Sequence, residues 1–195
     1  MKILKYCWAK NSDYLEKSLF PNNFPAELKW SRQWEYPWVK EQLKELNNIS
    51  ILDVGKTPDG YMNYIVKNKI ISITTNDIGQ HGDVNANIIG DIKNRNLFKN
   101  KYDVVLSIST IEHDENPLEC IKSMLSYLKE KGLLILTMDF CDGNNYTIQR
   151  DKLNEIMEFL NIENWYEDSK QDNIIKSEDI CVYENLRVVG LVIQK

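Results

Sequence analysis

Five short stretches of the chain place apolar residues side by side: 49–55 (ISILDVG), 69–75 (KIISITT), 102–109 (YDVVLSIS), 132–140 (GLLILTMDF) and 186–194 (LRVVGLVIQ). Ile, Val and Leu dominate them without strict alternation, which predicts strands covered on both faces of a mostly parallel sheet. A sixth, shorter run, NIIGD, ends at Asp91. Amphipathic segments separate the runs. Residues 60–67 follow the first, and Pro117–Lys129 starts with a proline at an early helical position and stops before Lys131-Gly132. Asp151–Leu160 sets Leu153, Ile156, Met157 and Leu160 on one face of a helix. This alternation predicts a doubly wound, Rossmann-like α/β sheet. No helix follows the last run, so it is expected as an edge or antiparallel strand.

Composition narrows the classes without naming one. The 195 residues suit one domain with a real core, and 43% apolar with 27% charged residues is a globular pattern. A net charge of -5 does not favour a nucleic-acid partner. The start, MKILKYCWAKNSDY, lacks the apolar core of a signal peptide, and no stretch approaches the roughly 20 apolar residues of a membrane helix, so a cytoplasmic protein is expected. Cys7, Cys120, Cys141 and Cys181 are scattered and His81 and His113 are the only histidines; reduced, mostly buried thiols and no metal site are expected.

In a doubly wound sheet, ligands sit beyond the carboxyl ends of the strands, where the strand order reverses. The residues just after each apolar run are therefore the candidates. Asp53, Gly55 and Gly60 follow the first. Asp77 follows the second, at roughly the spacing of an acid that accepts hydrogen bonds from ribose hydroxyls. Asp91 ends the short run; Ser107, Ser109, Glu112 and His113 come at the end of the next, and Asp139 with Phe140 at the end of the fifth. Each residue alone suits a turn or a helix cap. Their succession along four strand ends is what suggests a nucleoside site.

The order ILDVGKTPDG, ITTNDIG, IIGDI, YDVVLSISTIEH, KGLLILTMDF resembles the class I S-adenosylmethionine-dependent methyltransferases over roughly residues 49–140. The resemblance implies a seven-stranded sheet with an antiparallel last strand, ENLRVVGLVIQK, and S-adenosyl-L-methionine as cofactor. It places the methionine part of the cofactor on the turn at Asp53 and Gly55, the ribose on Asp77, adenine on Asp91 and Ile92, and the transferred methyl near Ser107 to Ser109. It divides the chain into an aromatic-rich cap or lid, 1–48, and a core, 49–195. The implied acceptor is a small molecule or glycan unit, methylated at oxygen or nitrogen. The phrase SRQWEYPW resembles one found ahead of the core in some bacterial methyltransferases.

The first turn departs from the family pattern. Lys56-Thr57 stands where many members have a second glycine, and a threonine forced to positive φ would be strained. With φ in an allowed region, Thr57 offers its hydroxyl to the cofactor's carboxylate or to a water, and Lys56 is expected in solvent. Ahead of the core, Trp30, Trp34, Tyr36 and Trp38 suit either core packing or an acceptor wall. Arg32 and Glu35 suit a surface ion pair or a substrate contact. His113 is the candidate base for a hydroxyl acceptor, with Glu112 and Asp139 behind it; the same position suits a helix start whose ring bonds to backbone. Glu112 is expected to face solvent or a basic neighbour. Asn144 and Tyr146, in the loop after the fifth run, are candidates to border the acceptor, or plain turn residues. A catalytically silent methyltransferase-fold module is the alternative reading, motivated by the thinned turn. A nicotinamide oxidoreductase would need G-x-G-x-x-G after the first strand, which is missing.

Overall fold

The computed structural model describes residues 1–10, 31–66, 70–79, 85–141, 146–170 and 186–195; Trp30, His81, Asn144 and Cys181 lie outside them. Strands β1 (Lys2–Trp8), β2 (Ile49–Val54), β3 (Ile70–Asp77), β4 (Ile88–Ile89), β5 (Tyr102–Ile108), β6 (Leu128–Phe140) and β7 (Arg187–Gln194) form one sheet in the order β1-β7-β6-β5-β2-β3-β4. Strands β2 to β6 run parallel, and β7 is antiparallel to β6 and to β1. Helices α1 (Arg32–Leu43), α2 (Asp59–Val66), α3 (Pro117–Ser126), α4 (Arg150–Phe159) and α5 (Trp165–Lys170) complete it. Among the described residues no helix is long and apolar enough to cross a membrane.

Both faces of the sheet are covered, which is why the strand sequences are apolar at successive positions. Leu52, Val105, Leu134, Leu136 and Leu191 pack with Ile121 and Met124 of α3, Leu153 and Ile156 of α4 and Trp165 of α5. Their chain neighbours Ile51, Leu106, Ile135 and Val192 point the other way, against Trp34, Val39 and Leu43 of α1 and Met62 and Ile65 of α2. Successive side chains alternate faces, and each face meets its own helical layer.

Three elements differ from what the sequence predicts. The helix from Pro117 ends at Ser126, not Lys129, because Leu128 is already paired with Tyr102 in the sheet and the Tyr127 N–H closes the helix on the Met124 carbonyl. Strand pairing overrides the helical propensity of Leu-Lys-Glu. Strand β7 is not at an edge: it is flanked by β6 on one side and by β1 on the other. The edge belongs to Lys2–Trp8, which the sequence assigns to a segment ahead of the core. An edge strand that keeps Lys2, Leu4 and Lys5 in or near solvent shows no continuous apolar run, and lysines guard such edges against further pairing.

Aromatic residues of α1 fix how closely the helix approaches β7. Trp34 and Trp38 stack with ring centroids 5.3 Å apart, and a Cβ built on Gly190 would lie 2.8–2.9 Å from both rings. Gly190→Ala is therefore expected to cost about 1–3 kcal/mol of overpacking, read from urea unfolding; stability equal to the parent would mean that α1 can lift off the sheet freely.

Candidate functional site

The chain leaves β2 toward β3 and β4 on one side and returns through β5 and β6 on the other, so the strand order reverses between β2 and β5. The turn after β2 lies at that point. Gly55 has φ +79°, and a Cβ there would lie 2.2 Å from the Thr110 side chain. Only glycine fits, for both conformation and space. The Gly55 and Lys56 N–H groups donate to the Asn76 carbonyl at 2.9 and 3.2 Å, and the Asn76 side-chain amide donates to the Ile88 and Gly90 carbonyls at 3.2 and 2.9 Å. The ends of β2, β3 and β4 are thus one hydrogen-bonded unit. Asn76 was invisible as a site residue in sequence because its task is carried out by backbone partners on two other strands.

Thr57 resolves the missing glycine. It is not among the residues with positive φ, and it is buried. Its N–H and its hydroxyl donate to the two carboxylate oxygens of Asp53, at 2.7 and 3.0 Å. The hydroxyl predicted for a cofactor or water is already given to Asp53. That carboxyl is fully buried, and burial pushes it up to about 6, with the two Thr57 hydrogen bonds pulling back. Asp53 and Thr57 therefore brace the turn from behind. Lys56 is mostly covered, not solvated, and lies 3.7 Å from Asp59 at the start of α2.

In front of the turn lies a cleft of about 320 Å³, within the range of small-molecule sites. Its wall includes Gly55, Asp77, Asp91, Ile92, Ser109 and His113 among the candidates, and Asn76, Ile78, Thr110, Ile111, Asp114 and Cys120 besides. Asp77 accepts the Gly79 N–H at 3.0 Å and Asp91 the Lys93 N–H at 2.8 Å, so each carboxylate is held by its own turn. Asp114 takes both oxygens to Lys93 Nζ at 2.7 and 2.6 Å; burial would raise it, but these contacts lower it below the usual carboxylate range. Burial, with Asp114 alongside, pushes the Cys120 thiol up to about 12, so it is no nucleophile.

The other candidates lie elsewhere. Asp53, Thr57, Ser107, Trp34, Tyr36, Asp139 and Tyr146 do not line the cleft. Ser107 is wholly buried inside β5. Trp34 is in the α1 core, and Tyr36 is stacked on Tyr61 at 4.7 Å, so neither forms a wall for an acceptor in this cleft. Tyr146 is 69% exposed.

Behind the cleft wall is a buried group of acids. Glu35, on the inner face of α1, accepts from Arg32 and from the Ser109 hydroxyl, each at 2.5 Å, and from the Thr137 hydroxyl. The Arg32–Glu35 pair is inside the protein rather than on its surface, and Glu35 is fully buried. Burial alone would lower the Arg32 pKa; Glu35 and Asp139 more than reverse that. Asp139 accepts the Ser31 hydroxyl at 3.2 Å. Glu112 is buried as well, contrary to the solvent position expected of it. Burial first, then mutual repulsion among these acids, raises both Glu112 and Asp139 well above the carboxylate range. Ser109 joins cluster and cleft, and its φ of +39° is a left-handed conformation unusual for serine.

Comparison with known proteins gives structure rather than sequence matches: no family model and no curated protein matches the chain. Among solved structures, the [4+2]-cyclase SpnF superposes with a TM-score of 0.57 at 13% identity, covering 88% of this chain and 84% of its own. N-methyltransferase NodS from Bradyrhizobium japonicum WM9, in complex with S-adenosyl-L-homocysteine, gives 0.55 at 11% identity over 89% and 93%. A putative methyltransferase from Bacillus halodurans C-125 gives 0.53 at 13% identity over 83% and 98%. The chain has the class I methyltransferase fold, with the seven-stranded mixed sheet and antiparallel β7 that the sequence resemblance implies.

Proposed function

We propose that this protein is an S-adenosylmethionine-dependent methyltransferase acting on a small molecule or glycan unit. The observation that carries the reading is the convergence, around one cleft at the point of strand reversal, of the Gly55 turn, Asp77, Asp91 with Ile92, and Ser109 to His113. These residues fit the cofactor. The backbone at Gly55 has no side chain to keep the methionine part away, Asp77 stands at the distance along the chain where ribose hydroxyls are held, and Ile92 offers a buried apolar surface beside Asp91 for the adenine ring. When bound, the cofactor supplies a methyl group on a sulfonium, and the protein's share is mainly to position the acceptor. His113, exposed on the cleft wall, is placed to take a proton from a hydroxyl acceptor.

The motive for a catalytically silent module weakens with Thr57: the residue that replaces the glycine is unstrained and serves the turn. Calorimetry with S-adenosylhomocysteine tests the proposal. The parent protein is expected to bind, and Asp77→Ala to bind about tenfold or more weakly, the loss of charged hydrogen bonds to a diol. A folded protein that binds neither the cofactor nor its product would refute it.

A further inference from the structure

The buried acids behind the cleft are more numerous than their architectural task requires. Glu35 ties α1 to the sheet and has Arg32, Ser109 and Thr137 as donors. Glu112 adds nothing to that tie. Both its oxygens are buried and meet no hydrogen-bond partner, and Asp139 Oδ1 is in the same state. Leaving carboxyl oxygens dry and unpaired costs several kcal/mol, so three of them side by side need a reason. The groups facing them are Arg32, Glu35 and Tyr36 from α1, the Ser31 hydroxyl before it, and Ser109 beyond β5. Three acids thus share one guanidinium, and the surplus is negative.

The cluster is directly behind the cleft. Ser109 lines the cleft and bonds to Glu35, while Glu112 stands between Ile111 and His113, both in the cleft wall. We infer that Glu112 and Asp139 form the recognition site for an amine group of the acceptor, which makes the acceptor a cationic amine and its nitrogen the atom methylated. The inference rests on the cofactor reading of the cleft. An ammonium supplies three N–H donors and a positive charge, matching three orphan oxygens and the acid surplus. A hydroxyl would satisfy one oxygen and no charge, and a carboxylate or phosphate would be repelled.

The same carboxyls can prepare the nucleophile. An ammonium has no lone pair; one N–H bond must break, its proton passing to a Glu112 oxygen while the electron pair stays on nitrogen. A carboxyl raised by burial and by neighbouring acids accepts that proton near neutral pH more readily than an ordinary glutamate does. His113, exposed at the mouth, is then not needed as the base.

The test uses methylammonium and its neutral isostere methanol as probes on the full chain at neutral pH, by saturation-transfer NMR and by calorimetry in two buffers of different ionisation enthalpy. Methylammonium is expected to bind and methanol not to. Binding is expected to release protons, since a carboxyl that was protonated ionises beside the cation. Glu112→Gln is expected to weaken methylammonium binding by about tenfold or more, with Asp139→Asn as the second variant, as for a lost charged hydrogen bond. Equal binding of the two probes, or methylammonium affinity unchanged in both variants, would overturn the amine site. Titration of S-adenosylhomocysteine into the same samples separates the failures. If it binds while methylammonium shows no preference, only the amine site is wrong; if it does not bind to the folded parent, the cofactor reading falls too.

Discussion

Gly55→Ala is expected to abolish binding of S-adenosylhomocysteine, with the sheet still folded. Two costs fall on this one methyl group. The first is conformational: φ of +79° is left-handed, and alanine there loses about 1–2 kcal/mol relative to glycine. The second is steric. A Cβ 2.2 Å from Thr110 Cγ2 and Oγ1, and 2.7 Å from Thr110 Cβ, overlaps them at close to bonding distances. Neither side can yield by a few tenths of an ångström; the segment that carries Thr110 must move as a whole. That segment is the cleft wall from Ser109 to His113, so the substitution displaces two walls of the site together. A combined loss above about 3 kcal/mol corresponds to more than about 100-fold in affinity.

The companion variant separates the causes. Thr110→Gly removes the atoms that clash while leaving φ at Gly55 unchanged. Placed beside Gly55→Ala, it is expected to restore part of the affinity, with the residual deficit measuring backbone strain. Calorimetry gives the affinities and urea unfolding reports whether the fold survives. Gly55→Ala binding the product within about twofold of the parent, at equal stability, would mean that the turn after β2 is not part of the site.

Much of this was legible in the sequence for one reason: strands buried on both faces are written as unbroken apolar runs, and β2, β3, β5, β6 and β7 are such strands. β1 was not, because an edge strand with Lys2 and Lys5 has only Trp8 fully buried. The cleft was legible in part. Gly55, Asp77, Asp91 and His113 follow strands whose ends the topology must bring together. Asn76, Thr110 and Asp114 share that cleft through backbone hydrogen bonds, a close approach and an ion pair, none of which has a sequence pattern. Thr57 misled for the opposite reason. Its hydroxyl was assigned outward to a ligand, whereas the nearest strong acceptor was four residues back at Asp53. The acid cluster was hardest to see. Glu35 reads as an i,i+3 surface partner of Arg32, and only the docking of α1 on β6 places it beside Thr137 and near Asp139 and Glu112.

These buried acids also invert the usual effect of pH, and the protein is expected to gain stability as the solution is made mildly acidic. Asp53 rises from 3.8 to about 6 on folding, by burial first, against the pull of Thr57 and Lys56. Between those values the folded chain holds a proton that the unfolded chain has released. The stability contributed by this group is complete below 3.8 and is lost as pH rises through about 6. A shift of about two units at about 1.36 kcal/mol each gives roughly 3 kcal/mol. Glu112 and Asp139 are raised in the same direction, so they extend the loss on the alkaline side. Asp103 opposes them at lower pH. Lys129 and the Ser50 backbone and hydroxyl outweigh its burial and hold it at about 2, so its contribution is present above 3.8 and lost as pH falls through about 2. Stability should therefore peak in the mildly acidic range, near pH 4 to about 6, and decline toward about pH 8. Urea unfolding at about pH 5, 6.5 and 8 measures this directly. Glu112→Gln and Asp139→Asn are expected to flatten the alkaline limb of the curve, because an amide has no proton to lose there. A free energy of unfolding that is level or rising from about pH 6 to 8 in the parent would mean that these carboxyls are ionised and paired in the folded state, and that the acid surplus behind the cleft does not exist.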